Sequence, residues 1–299
     1  MKFVLAITTY NRLDYLRELL ATWEQNRGEH DWKLIVADDG SNDGTIEFLD
    51  QLDFTDKKVI KNHRIGVHNQ MNSILKSLTE MDFDFCFKVD DDIRFLQKGW
   101  DDLYYSKAME TGFHHLVFHE SKWAEEQKLE NPKKENGLVA HNALLNVHGF
   151  FYTISPEMIQ KVGYFDVENF GFRGMGHVDY TARACRAGFN DLAHPFDVEG
   201  SDKYLSAYRE EYNGALPSNM IQAYDNFHRK RKEEIILKER VFVDFKDNSV
   251  NFESFQKELP EAFEFELERK QKEIEWYQNT YEKLPKWWKK IGALIRKTK

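Results

Sequence analysis

A unit of apolar strand, polar turn and amphipathic helix recurs along the first ninety residues of this 299-residue chain and constrains its fold more than any other feature. Residues 3–8 are apolar, turn through Thr9-Tyr10-Asn11-Arg12, and give way to Leu13, Leu16, Leu19, Leu20 and Trp23 at helical spacing. Residues 32–37 are apolar again and end in Asp38-Asp39-Gly40-Ser41-Asn42-Asp43-Gly44-Thr45, ahead of Ile46, Phe48, Leu49 and Leu52. Val59-Ile60 gives a third short strand, residues 66–80 a helix, and residues 83–89 a further strand. Strands that alternate with helices of this length imply an α/β fold with a parallel or mostly parallel sheet.

The run at 83–89 ends in Asp90-Asp91-Asp92. Neighbouring carboxylates repel and raise one another's pKa, whereas a divalent cation favours their ionised forms and takes their oxygens as ligands. In open α/β sheets ligands gather beyond the carboxyl ends of the strands, which is where this triplet falls. Asp90 and Asp92 are therefore expected to form a metal-diphosphate site.

Farther along, residues 120–142 are polar, contain Asn131-Pro132 and are expected to form a loop or lid. A strand follows at Phe150–Ile154, then a helix capped by Ser155 and opened by Pro156. Glycine-rich residues 171–176 precede a helix over about 178–187. Beyond residue 205 glycines become rare, and residues 220–285 are predicted to be mostly helical, with Phe263, Phe265, Leu267 and Ile274 at helical spacing. The chain thus divides into a domain at 1–205 and a helical extension at 206–299, through which a homo-oligomer could form. Residues 283–299 carry seven basic residues, no acidic ones and the pair Trp287-Trp288. Such a segment suits an anionic membrane surface, with an ordinary docking helix as the alternative.

Composition narrows the classes. A net charge of −9 argues against a nucleic-acid partner, and 31% charged residues place the chain among soluble globular proteins. With two cysteines, Cys86 and Cys185, neither a disulfide framework nor a cysteine-rich zinc site can be built, so a reducing cytoplasm is expected. No apolar run approaches the roughly 18–20 residues needed to span a bilayer. Contact with a membrane would then be peripheral, from the inner face.

The motifs together resemble the inverting glycosyltransferases of family 2, with the GT-A nucleotide-sugar fold. The resemblance covers about residues 1–200 and rests on Thr8-Thr9-Tyr10-Asn11-Arg12, on Val36 to Thr45, on Asp90-Asp91-Asp92, and on Gly149 to Ser155, Lys161 to Asp166 and Gly174 to Arg183. It implies a Rossmann-like central sheet, a nucleotide-sugar donor, most simply a UDP-sugar, and Mn²⁺ or Mg²⁺ held by a DxD motif. Asp92 then becomes the direct metal ligand, Asp90 shares metal and ribose, and Asp91 lies beside the donor. Thr9, Tyr10, Asn11 and Arg12 line the donor site, and Asp39 accepts from the uracil N–H. Turn and helix-cap chemistry is the alternative for Asp38, Asp43 and Thr45. Gly66 and Asn72 fit the family's loop and helix, but Met71 stands where the family has arginine.

A second departure concerns the base. Where the family carries Glu-Asp, whose aspartate deprotonates the acceptor hydroxyl, this chain has Gly176-His177, with Asp179 two residues on. An imidazole is a competent base near neutral pH, so His177 can take that role. Alternatively Asp179 is the base and His177 a metal or acceptor contact, or Asp179 simply pairs with Arg183 one turn later. His194 is the candidate for a third metal ligand. The resemblance implies transfer of a sugar, with inversion, to a hydroxyl of a glycan or lipid-linked saccharide, walled by the 120–142 loop and residues 170–176. A nucleotidyltransferase would need a glycine-rich basic loop after the first strand, which Thr9-Tyr10-Asn11-Arg12 lacks; a catalytically silent sugar-nucleotide-binding scaffold is the other alternative.

Overall fold

The structure, a computed structural model, describes residues 1–121, 133–207, 217–247 and 250–281. Its centre is a sheet of order β3-β2-β1-β4-β8, built from β1 (Lys2–Thr9), β2 (Asp31–Asp38), β3 (Lys57–Lys61), β4 (Phe85–Asp90) and β8 (Phe151–Ile154). Pairings among the first four strands are parallel, and β8 lies antiparallel against β4. The chain proceeds outward from β1 to β3 and then returns to set β4 on the other side of β1. The strand order therefore reverses between β1 and β4, the place where open α/β sheets leave a crevice for ligands.

Both faces of β1 are buried, as its continuous apolar run demands. Phe3, Leu5 and Ile7 pack with Trp23 of α1 (Leu13–Asn26), with Leu49 of α2 (Thr45–Gln51) and with Trp100 and Tyr104 of α4 (Trp100–Thr111). The alternate residues Val4 and Ala6 meet Met71, Ile74, Leu75 and Leu78 of α3 (Val67–Thr79) on the opposite face. Each large apolar side chain so buried contributes roughly 1.5–3 kcal/mol. Two small antiparallel sheets complete the fold: β5 (Ile93–Phe95) with β10 (Leu205–Ala207), and β6 (Lys134–Glu135), β7 (Leu138–Ala140) and β9 (Phe196–Val198). No helix among the described residues is long and apolar enough to cross a membrane.

The remaining helices are α5 (Pro156–Val162), α6 (Val167–Phe170), α7 (Gly176–Arg186), α8 (Ser218–Ile236) and α9 (Phe252–Tyr281). Ser155 caps α5 as expected, its hydroxyl accepting from the Met158 N–H at 3.2 Å. The helical region predicted over 220–285 is interrupted after Ile236, and its apolar spacing does not translate into burial, since Leu267 is 70% and Ile274 52% exposed. The segment after α8 straps back onto the sheet domain. Val243 N–H donates to Val162 O at 3.1 Å, and Tyr164 N–H donates to Val243 O at 2.9 Å. Gly163 makes this contact possible: its φ is +74°, and a Cβ there would run into the Val243 carbonyl. Residues 283–299 and 122–132, on which the membrane segment and part of the expected lid fall, lie outside the described residues.

Candidate active site

Parallel register sets Thr8 beside Asp90 and Thr9 beside Asp38, so three strand ends share one level at the switch point. A cavity of about 410 Å³ opens there, lined by Thr8, Thr9, Tyr10, Arg12, Asp39, Lys88 and Asp90 to Asp92 on the strand side. Facing them are Arg64, Gly66, His68 and Gln70 around the start of α3, His148 to Phe150, and Phe172 to Gly174 with His177. Its size and its mixture of aromatic and charged walls suit a small-molecule site.

The acidic triplet is held by cations. Asp90 pairs with Lys88 and accepts from Thr8 Oγ1 at 3.2 Å. Asp91 is buried, accepts from Thr9 Oγ1 at 2.7 Å and lies 2.7 Å from Arg12 Nη1. Burial pushes its carboxyl up to about 7 against the pull of Arg12. Asp92 meets Arg12 Nη2 at 3.1 Å, and its carboxyl is raised by burial and then by the Asp90 charge. Its second oxygen, Oδ1, is buried with no hydrogen-bond partner among the described residues. An orphaned acceptor beside a like charge fits a divalent cation, which would satisfy the one and neutralise the other. Elsewhere, His30, Asp101 and Asp102 form a group with ligand atoms within 4.8 Å of one another, but it lies at the opposite end of β2, where Asp101 accepts from the Gly28 N–H at 2.6 Å.

Asp39 lines the cavity, yet both of its oxygens already accept backbone N–H groups, from Ile65 at 2.7 Å and Gly66 at 3.0 Å. Burial raises its pKa against those bonds. Gly66 has φ +83°, and a Cβ there would strike Phe172, so this turn can present its N–H to Asp39 only as glycine. Asp38 and Asp43 do turn and cap work: Asp38 accepts from Gly40 N–H at 2.9 Å and Ser41 N–H at 2.8 Å, and Asp43 from Leu13 N–H at 2.9 Å.

Three expected site residues lie off the cavity. Asn11 braces the Asp39 turn instead, its side-chain oxygen accepting from the Asn42 N–H at 2.8 Å. Asp179 is fully buried between Arg183, at 2.8 Å, and Arg240. Arg183 in turn donates to Val162 O at 2.6 Å and Tyr164 O at 2.8 Å. Asp179 therefore anchors α7 and does not line the cavity, in keeping with its pairing with Arg183. His194 is exposed in the turn after α7, its Nδ1 3.3 Å from His141 O, at the far end of that helix from the triplet. Among the described residues of the expected 120–142 lid, none lines the cavity, whereas Phe172 to Gly174 do.

His177 does reach the cavity from the first turn of α7. Its Nε2 lies 3.2 Å from Val147 O; a carbonyl can only accept, so Nε2 carries the proton and Nδ1 holds the lone pair. Burial, then the Lys88 charge, pulls the imidazole down to about 4, leaving it neutral at pH 7. Lys88, Arg64 and His68 line the same cavity and were not anticipated. Lys88 carried a signal: a lysine inside an apolar strand, two residues before an aspartate and so on the same face.

The profile of glycosyl transferase family 2 matches residues 4–104, which contain Thr9, Asp39 and the acidic triplet. Over these residues the chain is similar to glycosyl transferase family 2. An uncharacterized glycosyltransferase of Acanthamoeba polyphaga mimivirus is 24% identical over 216 residues, 70% of this chain and 82% of that protein. Among solved structures, the mannosyltransferase PcManGT from Pyrobaculum calidifontis, in complex with GDP-Man and Mn²⁺, superposes with a TM-score of 0.57 at 12% identity. That match covers 80% of this chain and 65% of the other chain, just under two thirds of its length. S. aureus TarS 1-349 in complex with UDP-GlcNAc superposes with a TM-score of 0.50 at 16% identity, covering 80% and 68% of the two chains. These likenesses establish the fold, a mostly parallel GT-A sheet with helices following it.

Proposed function

We propose that this chain is a metal-dependent, inverting glycosyltransferase of family 2 that moves a sugar from a nucleotide-sugar, most simply a UDP-sugar, to a hydroxyl of a glycan or lipid-linked saccharide. The observation that carries the reading is the convergence in one cavity of Tyr10 and Asp39, the Asp90 to Asp92 triplet, and a neutral His177 facing them. Thr9, Tyr10 and Asp39 form the nucleotide side. Asp92 Oδ1, with Asp90, would hold Mn²⁺ or Mg²⁺, which when bound supplies Lewis-acid help to the departing diphosphate. The mannosyltransferase solved with GDP-Man and Mn²⁺ supports such a donor and such a metal.

His177 Nδ1 takes the acceptor hydroxyl proton. The freed oxygen bonds to the anomeric carbon as the bond from that carbon to the diphosphate oxygen breaks, which inverts the centre. Lys88 and Arg12 hold Asp90 and Asp92 in place. The fixed, largely buried walls supply orientation, an effect worth several kcal/mol in well-aligned reactions. Peripheral membrane contact through residues 283–299 and pairing through the C-terminal helices belong to the same proposal.

A panel of nucleotide-sugars, assayed for Mn²⁺-dependent release of the nucleotide, tests it. Wild type should release nucleotide from one donor, and Asp92→Ala should abolish that release. If no donor is consumed, or if Asp92→Ala is as active as wild type, the reading fails.

A further inference from the structure

The cavity holds four long cationic side chains, and three of them are committed. Arg12 sits on Asp91 and Asp92, Lys88 on Asp90, and Arg173 on Asp225 at 3.3 Å. Arg64 differs. Among the described residues no carboxylate or carbonyl takes its guanidinium, and two aromatic faces hold it instead. Its central carbon lies 3.9 Å from the Tyr10 ring centroid and 4.1 Å from that of Phe252. Stacking of this kind fixes the plane of the guanidinium while leaving its in-plane N–H donors unused.

The backbone beneath is just as fixed. Arg64 adopts φ +57°, uncommon for a residue with a side chain, and its N–H donates to Asp39 O at 3.0 Å. Its own carbonyl accepts from the Phe252 N–H at 2.8 Å, and Asn69 Nδ2 donates to Val250 O at 2.9 Å. The start of α9, 188 positions along the chain, thus braces Arg64 over Tyr10. Gln70, on the other flank of Asp39, is 4% exposed and has its Oε1 buried without a partner. The cavity therefore offers unused donors on Arg64 and an unused acceptor on Gln70.

We infer that Arg64 reads the nucleobase of the donor, giving its in-plane N–H groups to a ring carbonyl while the Gln70 acceptor takes a ring N–H, and that Phe252 is the positioning residue that holds it flat. A base edge with a carbonyl next to an N–H is that of uracil or guanine, not of cytosine or adenine. The inference rests on the nucleotide-donor reading and makes the first turn of α9 part of the donor pocket.

Calorimetric binding of UDP, GDP, CDP and ADP in the presence of Mn²⁺, to the full chain, tests this without relying on turnover. Wild type should favour UDP or GDP over CDP and ADP. Arg64→Met, and Arg64→Lys, which keeps the charge but not the plane, should weaken the favoured nucleotide about tenfold or more and collapse its preference. Phe252→Leu should do the same in part while Phe252→Tyr restores binding, with melting temperatures unchanged. Equal weakening of all four nucleotides would mean that Arg64 contacts the diphosphate and would overturn the assignment, as would unaltered binding by Arg64→Met. If Asp39→Ala loses UDP or GDP while Arg64→Met binds normally, the inference fails and the donor reading stands; if wild type binds none of the four, both fall.

Discussion

Replacing Asp179 by asparagine separates an anchoring role from a catalytic one. The Asp179 carboxylate and the Arg183 guanidinium are both fully buried, 2.8 Å apart. Asp179→Asn keeps the shape but leaves Arg183 charged and uncompensated in the core, tied only to the carbonyls of Val162 and Tyr164. Breaking one side of such a pair costs about 3–5 kcal/mol. Arg240, 23% exposed, can turn to water and adds less. At roughly 2 °C or more per kcal/mol for a chain of this size, the melting temperature should fall by about 6 °C or more. Turnover measured well below that midpoint should change by less than about tenfold. His177→Gln should behave the opposite way, melting close to wild type and losing about 10²–10⁴ in kcat, the usual worth of a general base. Thermal melting by circular dichroism and kcat for the identified donor, on the same preparations, decide it. Should Asp179→Asn melt like wild type and lose as much turnover as His177→Gln, the assignment of the base to His177 is refuted.

Other outcomes follow from groups on either side of the sheet. Saturating Mn²⁺ at about a hundred times its Kd should stabilise wild type against urea by about 2.7 kcal/mol, an increment that Asp92→Ala should lose; an undiminished increment would place the metal elsewhere. His141 is buried with Nε2 2.9 Å from Val117 O, and burial pulls it down to about 3. The unfolded chain, with this histidine near ~6.5, binds its proton first, so the stability it contributes is complete above that value and drains away as pH falls toward its folded value. Between pH 7 and 5.5 wild type should lose about 1 kcal/mol more than His141→Gln in urea unfolding, and equal losses would contradict the assignment. Gly163→Ala, which brings a Cβ against Val243 at positive φ, should cost about 1–3 kcal/mol and expose residues 238–246 to limited proteolysis; an unchanged digestion pattern would show that the strap tolerates the substitution.

The parallel core was legible because β1, β2 and β4 are apolar on both faces and end in polar clusters, a pattern that needs no tertiary information. The triplet and the Asp39 turn were legible for the same reason. α4 was not anticipated, although Trp100, Tyr104 and Ala108 recur at helical spacing between Gly99 and Gly112, both at positive φ. The small sheets could not be, since two- and three-residue strands acquire their pairing from partners as far away as β5 and β10. His177 and Asp179 were weighed for the same position, yet two steps along a helix turn a side chain by about 200°, so only one of them can face the cavity. Arg64 escaped notice because a loop residue has no periodicity, and its significance comes from Phe252, which only folding brings near.

The strap at Val243 and the pin at Arg240 carry a consequence for the chain as it emerges from the ribosome. β1 to β4 can collapse as soon as the first hundred residues are free, since their contacts are short in sequence. α7, which carries His177, has no such independence. Its buried Asp179, paired with Arg183 on the same helix, waits for a second cation from residue 240, and the turn at Arg64 waits for residue 252. At roughly 5–20 residues per second, several seconds of synthesis separate the making of α7 from the arrival of the residues that lock it. A nascent chain halted before residue 240 would thus hold a formed sheet with α7 and the Arg64 turn still unlocked, so the cavity is completed late, with the last quarter of the polypeptide.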